Sequence, residues 1–417
     1  MRRLGGSRLT VIHAIKEYAI LSRMKNKMLL AGLCGVALCA GAAERGIFGL
    51  YGDTPDAKHA WAVHDLNRPY PKQVETPEGK PPSDAIVLFD GTQKSVDENW
   101  CDPNGKPTKW RVKDGTFVCT PRSGMACTRR SYGHAQFHVE WLSPLEDAKR
   151  HGQLGGNSGV FPMGKYEIQI LNSYDPDPNA KVERNYPDGI AGSAYAENPP
   201  LVNASRPAGV WQSYDIVFHQ PIWKDGKVLH PGTVTVFLNG VLVQDAWELE
   251  GMSTHRVRKP LVQHETKLPW KLQDHGDPVP FRNIWIREIP SRWDNTTHSL
   301  MSAKEEEVAA LREKTAAALF ANVDPSKPDP KNVNGALEVL SYSKKPEYVS
   351  AAKKLCAGYE ARLKSLSGKD LDAERTFVVG TLKGFNVLVK NKVVGADDFP
   401  LRATLQQIAA RKKWPVR

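Results

Sequence analysis

Short apolar runs separated by turn signals fill the chain from residue 84 to residue 290, and this pattern constrains the fold more than any other feature. Several runs alternate apolar and polar residues, as in Ala135–Trp141 and Thr233–Leu238. A period of two residues is typical of strands with one buried face. Asn239-Gly240 separates two such runs and predicts a tight hairpin. Because no helical pattern intervenes, the sequence predicts an antiparallel β-sandwich or jelly roll over residues 84–300.

Beyond about residue 301 the apolar residues recur with helical spacing. Helices are predicted over about 302–321, 334–342, 346–366, 370–391 and 398–413. Ser302 and Glu305 have the spacing of a capping box, in which the first side chain caps the helix and the second bonds back to it. The sequence therefore predicts a small all-α C-terminal domain over residues 301–417.

Residues 1–42 have the features of a signal peptide. A positive segment begins at Met24, which is a candidate for the true start, and an apolar run from Met28 to Cys39 follows. Small residues then follow at 40–42, and the run is too short to span a bilayer. Cys39 is a weaker candidate for lipid attachment, because the bulky Leu38 precedes it. The expected location is periplasmic or secreted, and residues 43–83 are expected to form an extended linker or a segment wrapping the next domain.

Four cysteines remain after the predicted cleavage: Cys101, Cys119, Cys127 and Cys356. An exported chain can oxidise such residues, yet their spacing forms no dense disulfide framework. Cys119 and Cys127 flank a turn at residues 121–124. A disulfide that closes this hairpin and a set of unpaired structural thiols are both compatible with the sequence.

The formal net charge of +11 is unevenly distributed along the chain. Residues 1–42 carry +6 and residues 302–417 carry +7, so residues 43–301 carry −2. A nucleic-acid footprint should lie on the functional face, and the β region has no basic excess, so we expect no nucleic-acid partner. The charge of the C-terminal helices has two interpretations, a solvated surface or association with an acidic envelope surface.

The β region also contains an ordered series of local motifs. They lie at residues 88–91, 110–115, 157–161, 166–171, 211–215, 238–240, 272–276 and 281–284. In this order they resemble the 3-keto-disaccharide hydrolase family, also described as 3-keto-glucoside 1,2-lyase and 3-keto-2-hydroxyglucal hydratase. The resemblance covers about half of the chain, leaves out the helical tail, and makes residues 172–188 look like an insertion. It implies a concanavalin-like jelly roll and an enzyme that cleaves 3-keto-glycosides.

The implied chemistry defines what the site must contain. A ketone at C3 of a sugar acidifies the hydrogen on C2, so a base can remove it and form an enediolate. This intermediate collapses by expelling the C1 oxygen, and water adds to the resulting glycal to complete net hydrolysis. Such a site needs a base of moderate pKa, stabilisation of the C3 oxygen, and an acid or water near the leaving group.

Two residues are the candidate catalytic groups. His275 is the candidate base, because its intrinsic pKa is close to neutral and it lies in a loop before the last strand. Glu167 is the second, and on a strand it projects from the same face as Gln169. The alternative interpretations are a surface histidine in a turn and an ordinary solvated sheet face.

Further residues are candidates for substrate binding, and a cation is a candidate cofactor. The binding candidates are Asn157, Gln169, Tyr195, Gln273 and Arg282. Tyr195 offers stacking or a phenolic proton, whereas Arg282 either reaches the sugar or pairs with a nearby carboxylate. No zinc motif is present, but Glu167 and His275 are candidate ligands of a hydrated divalent cation. The expected partner is a glycoside or oligosaccharide, and the alternative function is a non-catalytic carbohydrate-binding jelly roll of the cell envelope.

Overall fold

The computed structural model of the protein describes residues 52–150, 152–177, 185–291 and 305–416. The predicted signal peptide and the predicted cap Ser302 lie outside these ranges. The chain divides into two units, which in the described ranges are a β unit at residues 71–291 and a helical unit that combines residues 52–70 with 305–416. Within these ranges, no helix combines the length and the apolar character that a membrane crossing requires.

The β unit consists of short strands with one brief helix after the first of them. The strands are β1 Ile86–Phe89, β2 Trp100–Cys101, β3 Arg111–Lys113, β4 Thr116–Val118, β5 Ala126–Tyr132, β6 Ala135–Trp141, β7 Ser158–Phe161, β8 Ile168–Ile170, β9 Gln212–His219, β10 Ile222–Lys224, β11 Lys227–His230, β12 Thr233–Leu238, β13 Val241–Glu248, β14 Leu268–Leu272 and β15 Pro280–Glu288. The helix is α1, Gln93–Asn99, which begins after Thr92, whose side chain accepts a hydrogen bond from the Ser95 N–H.

Two antiparallel sheets contain most of these strands. The larger has the order β13-β12-β9-β6-β15-β4-β3, with β1 also pairing to β15. The smaller has the order β2-β5-β14-β7-β8, and β10 and β11 form a separate pair. The prediction of a mainly antiparallel β region followed by helices is therefore confirmed. The concanavalin-like jelly-roll connectivity stays a prediction.

The alternating side chains of both sheets meet in one apolar core. On β6 every second residue is buried, and Phe137 from this strand lies 5.0 Å from Trp270 of β14, centroid to centroid. Phe218 of β9 meets the same indole edge to face. Because the inner positions are filled by apolar side chains, polar residues of either sheet are directed to its outer face.

The predicted hairpin connects β12 and β13. Leu238 pairs directly with Val241, and the two residues between them, Asn239 and Gly240, both have positive φ. This is the backbone geometry of a tight hairpin turn, which asparagine and glycine tolerate best. The Asn239 side chain also accepts the Ser213 N–H at 2.9 Å, so the turn is anchored to the neighbouring strand β9.

The helical unit contains α2 Glu305–Phe320, α3 Pro330–Val339, α4 Pro346–Ser365, α5 Gly368–Ala373, α6 Arg375–Lys390 and α7 Pro400–Arg411. Helix α3 begins earlier than the predicted 334, because Asp329 caps the Asn332 N–H and Pro330 occupies the first turn, where no donor is needed. The single predicted helix over 370–391 is two helices that meet at Glu374. The carboxylate of Glu374 accepts a hydrogen bond from Tyr359 of α4 at 3.0 Å.

Residues 52–70 belong to the helical unit, although residues 43–83 were expected to form a linker or to wrap the β region. Asp65 accepts a hydrogen bond from the Tyr342 hydroxyl at 2.6 Å, and Asn67 donates to the same hydroxyl and to Glu338. Ala62 lies in the apolar core of the helices. Association of these helices with an envelope surface stays a prediction.

Candidate active site

Strand β8 directs two polar side chains away from the apolar core. Ile168 and Ile170 are buried between the sheets, so Glu167 and Gln169 project from the outer face of the five-stranded sheet. Both are nevertheless buried, with Glu167 only 6% and Gln169 1% exposed. Loops therefore cover this part of the sheet, and the two side chains lie in a site rather than on a solvated surface.

Glu167 is the most unusual ionisable group of this face. Its backbone N–H donates to Ser253 Oγ at 2.8 Å, but its carboxylate has no hydrogen-bond partner among the residues that the structure describes. The side chain lies across Gly159 of β7, where an added Cβ would be only 2.5 Å from Oε1. Burial raises the pKa of Glu167 to about 8. A carboxyl group with this pKa can accept and return a proton near neutral pH.

Gln169 and Asn157 form one wall of the site. The Gln169 Nε2 group donates to Asn157 Oδ1 at 3.2 Å, and the Asn157 amide in turn donates to Gln153. The Asn157 backbone N–H donates to Asp277 Oδ2 at 2.9 Å. The donors of both amides are thus occupied, which fixes their orientation, and Gln169 Oε1 is left with no donor among the described residues.

The chain that follows β14 closes another side of this face. Gln273 pairs through its backbone with Gly159 and Ser158, at 3.0 Å and 2.7 Å. Its side-chain Oε1 is buried with no donor in the described part of the chain. The structure therefore brings the predicted residues Asn157, Gln169 and Gln273 together with Glu167.

His275 lies in the bend after this segment and is exposed. The preceding Asp274 accepts hydrogen bonds from the N–H groups of Ser123, Gly124 and Gly276. Burial alone would raise the pKa of Asp274, but these donors hold it below its usual value. The imidazole of His275 itself has no hydrogen-bond partner among the described residues, so it is not paired with the adjacent Asp274.

Tyr195 joins the site through the loop that packs on β8. Its N–H donates to the Glu167 carbonyl at 3.0 Å, and its hydroxyl lies 2.9 Å from both the Tyr186 hydroxyl and His255 Nδ1. Burial raises the pKa of Tyr195, as does the hydrogen bond with Tyr186. The phenol therefore stays neutral at working pH, and the exposed His255 connects it to solvent.

Sequence reasoning missed Tyr186, His255 and Ser253. Tyr186 lies in the segment 172–188 that looked like an insertion, and His255 and Ser253 lie in a long loop between two strands. None of these positions has a motif or a strand period that points to the site. Only the folding of both loops over β8 brings them to Tyr195 and Glu167.

Arg282 does not lie with the other predicted residues. It is on the outer face of the eight-stranded sheet, where its Nε donates to Glu140 Oε2 at 2.7 Å and its guanidinium lies 4.0 Å from the centre of the Trp211 ring. The alternative interpretation of Arg282, pairing with a nearby carboxylate, describes what the structure shows. Its assignment to substrate binding would require a ligand on this second face.

The same outer face holds a hydrogen-bonded cluster that the sequence did not indicate. His138 lies 2.7 Å from Asp215 through Nδ1 and 3.3 Å from the Asn283 amide through Nε2, and its ring stacks on Trp285. Asn283 has φ of +47° at an irregularity in β15, and its amide also donates to Glu140. The bulge directs the Asn283 amide toward both His138 and Glu140, so it links the two side chains.

In the sequence, Glu167 and His275 are candidate ligands of a hydrated divalent cation. In residues 52–150, 152–177, 185–291 and 305–416, no group of three or more His, Cys, Asp or Glu side chains is arranged to hold a metal ion. Glu167 is buried whereas His275 is exposed. The described residues do not fit a site with three such ligands, and a hydrated cation held by Glu167 and His275 with waters stays a prediction.

Comparison with known proteins identifies relatives of the β unit. Residues 84–287 match the family of the 3-keto-alpha-glucoside-1,2-lyase-like domain. A curated relative, the 3-keto-disaccharide hydrolase of Bacteroides thetaiotaomicron, is 24% identical over 238 residues, which are 49% of this chain and 78% of the relative. The matched domain contains Glu167, Gln169 and the other residues described above.

Two crystal structures of proposed glycosyl hydrolases from Parabacteroides distasonis are also similar. The first is 35% identical, with a TM-score of 0.48, and the match covers 55% of this chain and 98% of that protein. The second is 22% identical, with a TM-score of 0.35, and covers 49% of this chain and 94% of that protein. From the domain match and the curated relative together, the chain belongs to the 3-keto-disaccharide hydrolase family through its β unit.

Proposed function

We propose that the chain cleaves 3-keto-glycosides by removing the C2 proton, eliminating the C1 substituent and hydrating the glycal, with Glu167 as the base. The observation that supports this best is the burial of the Glu167 carboxyl group without a partner. Burial raises its pKa to about 8, which is far closer to neutral than an ordinary carboxyl group. A base of this strength suits a carbon acid next to a ketone.

The walls of the site suit a sugar ring. Gln169 Oε1 is available to accept a hydrogen bond from a sugar hydroxyl, because its amide nitrogen is already engaged with Asn157. Lys271 of β14, whose register partner is Phe161, forms no ion pair in the described part of the chain. Its ammonium group supplies positive charge for the oxygen at C3 as the enediolate forms.

Tyr195 is the proton donor to the leaving group in this scheme. In the elimination step Glu167 takes the C2 proton and Tyr195 gives its phenolic proton to the departing C1 oxygen. In the hydration step a water molecule adds to C1 and returns a proton to Tyr195, while Glu167 returns its proton to C2. One water is consumed, and both residues recover their starting states.

His275 is the other candidate base, and its exposure argues for a role at the rim. An exposed imidazole lacks the burial that would protect the enediolate from water. The two candidates are separated by comparing His275→Ala with Glu167→Gln. If Glu167 is the base, only the second change removes the chemical step.

The test is turnover of a purified 3-keto-disaccharide, measured as release of the free sugar. We expect cleavage by the wild type with a primary isotope effect when C2 carries deuterium, because that bond breaks in the first step. Glu167→Gln should reduce kcat by roughly a thousandfold, whereas Glu140→Gln, on the outer face of the other sheet, should retain most activity. Equal cleavage of the corresponding disaccharide without the ketone, or full activity of Glu167→Gln, would contradict the proposal.

The same assay addresses the alternative of a carbohydrate-binding protein without activity. Saturable binding of the sugar with no release under any condition would support that alternative. We further propose that the protein works in the periplasm or outside the cell, supported by the leader-like sequence of residues 24–42. Fractionation of the native host with an antibody to the chain tests this location, and a cytoplasmic signal alone would contradict it.

A further inference from the structure

Cys101 and Cys127 lie directly opposite each other on neighbouring strands. Cys101 ends β2 and Cys127 lies near the start of β5, and the two are register partners in an antiparallel pair. Such partners have Cα atoms about 4.5–5.5 Å apart, which falls within the range of about 4.4–6.8 Å that a disulfide requires. The Cys101 Sγ is 3.6 Å from the Cys127 carbonyl oxygen, so its side chain is directed toward its partner residue.

The surroundings of this pair separate it from the other two cysteines. Cys101 is 7% and Cys127 3% exposed, and burial raises the pKa of both thiols, that of Cys127 to about 11. A charge on Cys101 would raise the pKa of Cys127 further, in keeping with the pairing of the two residues across β2 and β5. Cys119 faces Asp274 instead, and Cys356 is buried in helix α4 of the other unit.

This geometry replaces the pairing that the sequence suggested. Cys119 and Cys127 flank a turn, but Cys119 follows β4 of the eight-stranded sheet whereas Cys127 lies in the five-stranded sheet. The register partner of Cys127 on β2 is Cys101. The four cysteines in the described part of the chain are thiols, and among them only the Cys101–Cys127 pair is aligned for a bond.

We propose that Cys101 and Cys127 form a disulfide when the chain is exposed to an oxidising compartment. Each thiol loses a proton, the two sulfur atoms bond, and the two electrons reduce a disulfide oxidant, such as a disulfide oxidoreductase or oxidised glutathione, to two thiols. The bond ties β2, which has only two residues, to β5 of the sheet that carries Glu167. It is independent of the proposed reaction.

The direct test uses the full-length chain exported to an oxidising compartment or treated with oxidised glutathione. The protein is unfolded and its free thiols are blocked with N-ethylmaleimide before mass spectrometry. Of Cys101, Cys119, Cys127 and Cys356, two should carry a blocking group before reduction and all four after it. A tryptic digest should contain residues 95–109 joined to residues 123–129.

Two variants show which pairing is formed. Cys119→Ser should keep the cross-linked peptide, whereas Cys101→Ser should leave Cys127 open to the blocking reagent. Reduction should lower the Tm of the wild type by about 5–10 °C and leave the Tm of Cys101→Ser unchanged. Blocking of both Cys101 and Cys127 in the oxidised wild type, or a cross-link between Cys119 and Cys127, would overturn the proposal.

Discussion

The carboxylate of Glu167 lies against the backbone of Gly159, so closely that a Cβ on this glycine would be 2.5 Å from Oε1. Gly159 is on β7 and Glu167 directly precedes β8, so the absence of one side chain on the first strand makes room for the carboxylate of the second. The relationship gives a physical reason for the glycine that follows Asn157 and Ser158 in the sequence.

Gly159→Ala should therefore displace the Glu167 carboxylate without unfolding the chain. The φ of Gly159 is not among the positive values, so alanine can adopt its backbone conformation. We expect kcat/KM to fall by roughly a factor of ten to a hundred, because a shift of about 1 Å in a catalytic group has effects of this size. The free energy of unfolding should fall by about 1–3 kcal/mol.

Steady-state kinetics on the 3-keto substrate and urea unfolding measure these two quantities. Gly335→Ala, in helix α3 of the helical unit, is the control, because an added Cβ there meets only Val323 Cγ2 at 3.1 Å. Unchanged kcat/KM in Gly159→Ala would show that the position of the Glu167 carboxylate does not control the reaction.

The ionisation of Glu167 also makes stability depend on pH. Its pKa is about 8 in the folded chain against a usual value of 4.5, so between these pH values the folded state binds more protons than the unfolded state. Stability therefore falls as pH rises from about 4.5 to 8, by at most a few kcal/mol. Glu167→Gln removes this penalty, and its Tm should exceed that of the wild type by several degrees at pH 9 but not at pH 4.

Thermal unfolding of both proteins across this pH range measures the difference. The catalytic rate should have the opposite dependence, since only ionised Glu167 can take a proton, and kcat/KM should rise with pH to an apparent pKa near 8. A variant that is less stable than the wild type at pH 9 would show that the carboxylate has a partner that stabilises its charge.

Tyr195→Phe tests the proton donor. The change keeps the ring but removes the hydroxyl between Tyr186 and His255, so kcat should fall by about a hundredfold or more for substrates with a sugar leaving group. The loss should be much smaller for a nitrophenyl leaving group, which needs no proton. Tyr186→Phe is the matched control, and an equal loss for both leaving groups in Tyr195→Phe would mean that the hydroxyl only supports the structure.

The sequence predicted those parts of the site that depend on local spacing. The parity of β8 put Glu167 and Gln169 on one face because side chains alternate along a strand. Asn157 and Gln273 were identified through two sequence motifs, and the structure places these motifs at adjacent strands. The contacts of Tyr195 with Tyr186 and His255 could not be predicted, because they join loops that no period or turn type places together.

The same limit explains the separation of Arg282 from the other candidates. The order of the motifs along the chain does not show to which sheet a residue belongs. Arg282 follows the motif of His275 by only a few residues. The chain crosses from the five-stranded to the eight-stranded sheet between them, at residues 273–279. The burial of Glu167 could not be inferred either, since it requires the covering loops.

Arg282→Ala should lower stability but leave the chemistry intact. The guanidinium is held by Glu140 and by the face of Trp211, yet its side chain is 45% exposed, so the pair and the ring contact together should contribute about 1 kcal/mol. We expect kcat and KM on the 3-keto substrate to change less than twofold, while the midpoint of urea unfolding shifts to a lower urea concentration.

Arg282→Lys should retain part of the stability, because the charge remains but the planar stacking on Trp211 is lost. A rise in KM of tenfold or more in Arg282→Ala, with kcat unchanged, would instead show that sugar binds on the outer face of the eight-stranded sheet. The depression around Trp211 would then belong to the substrate site.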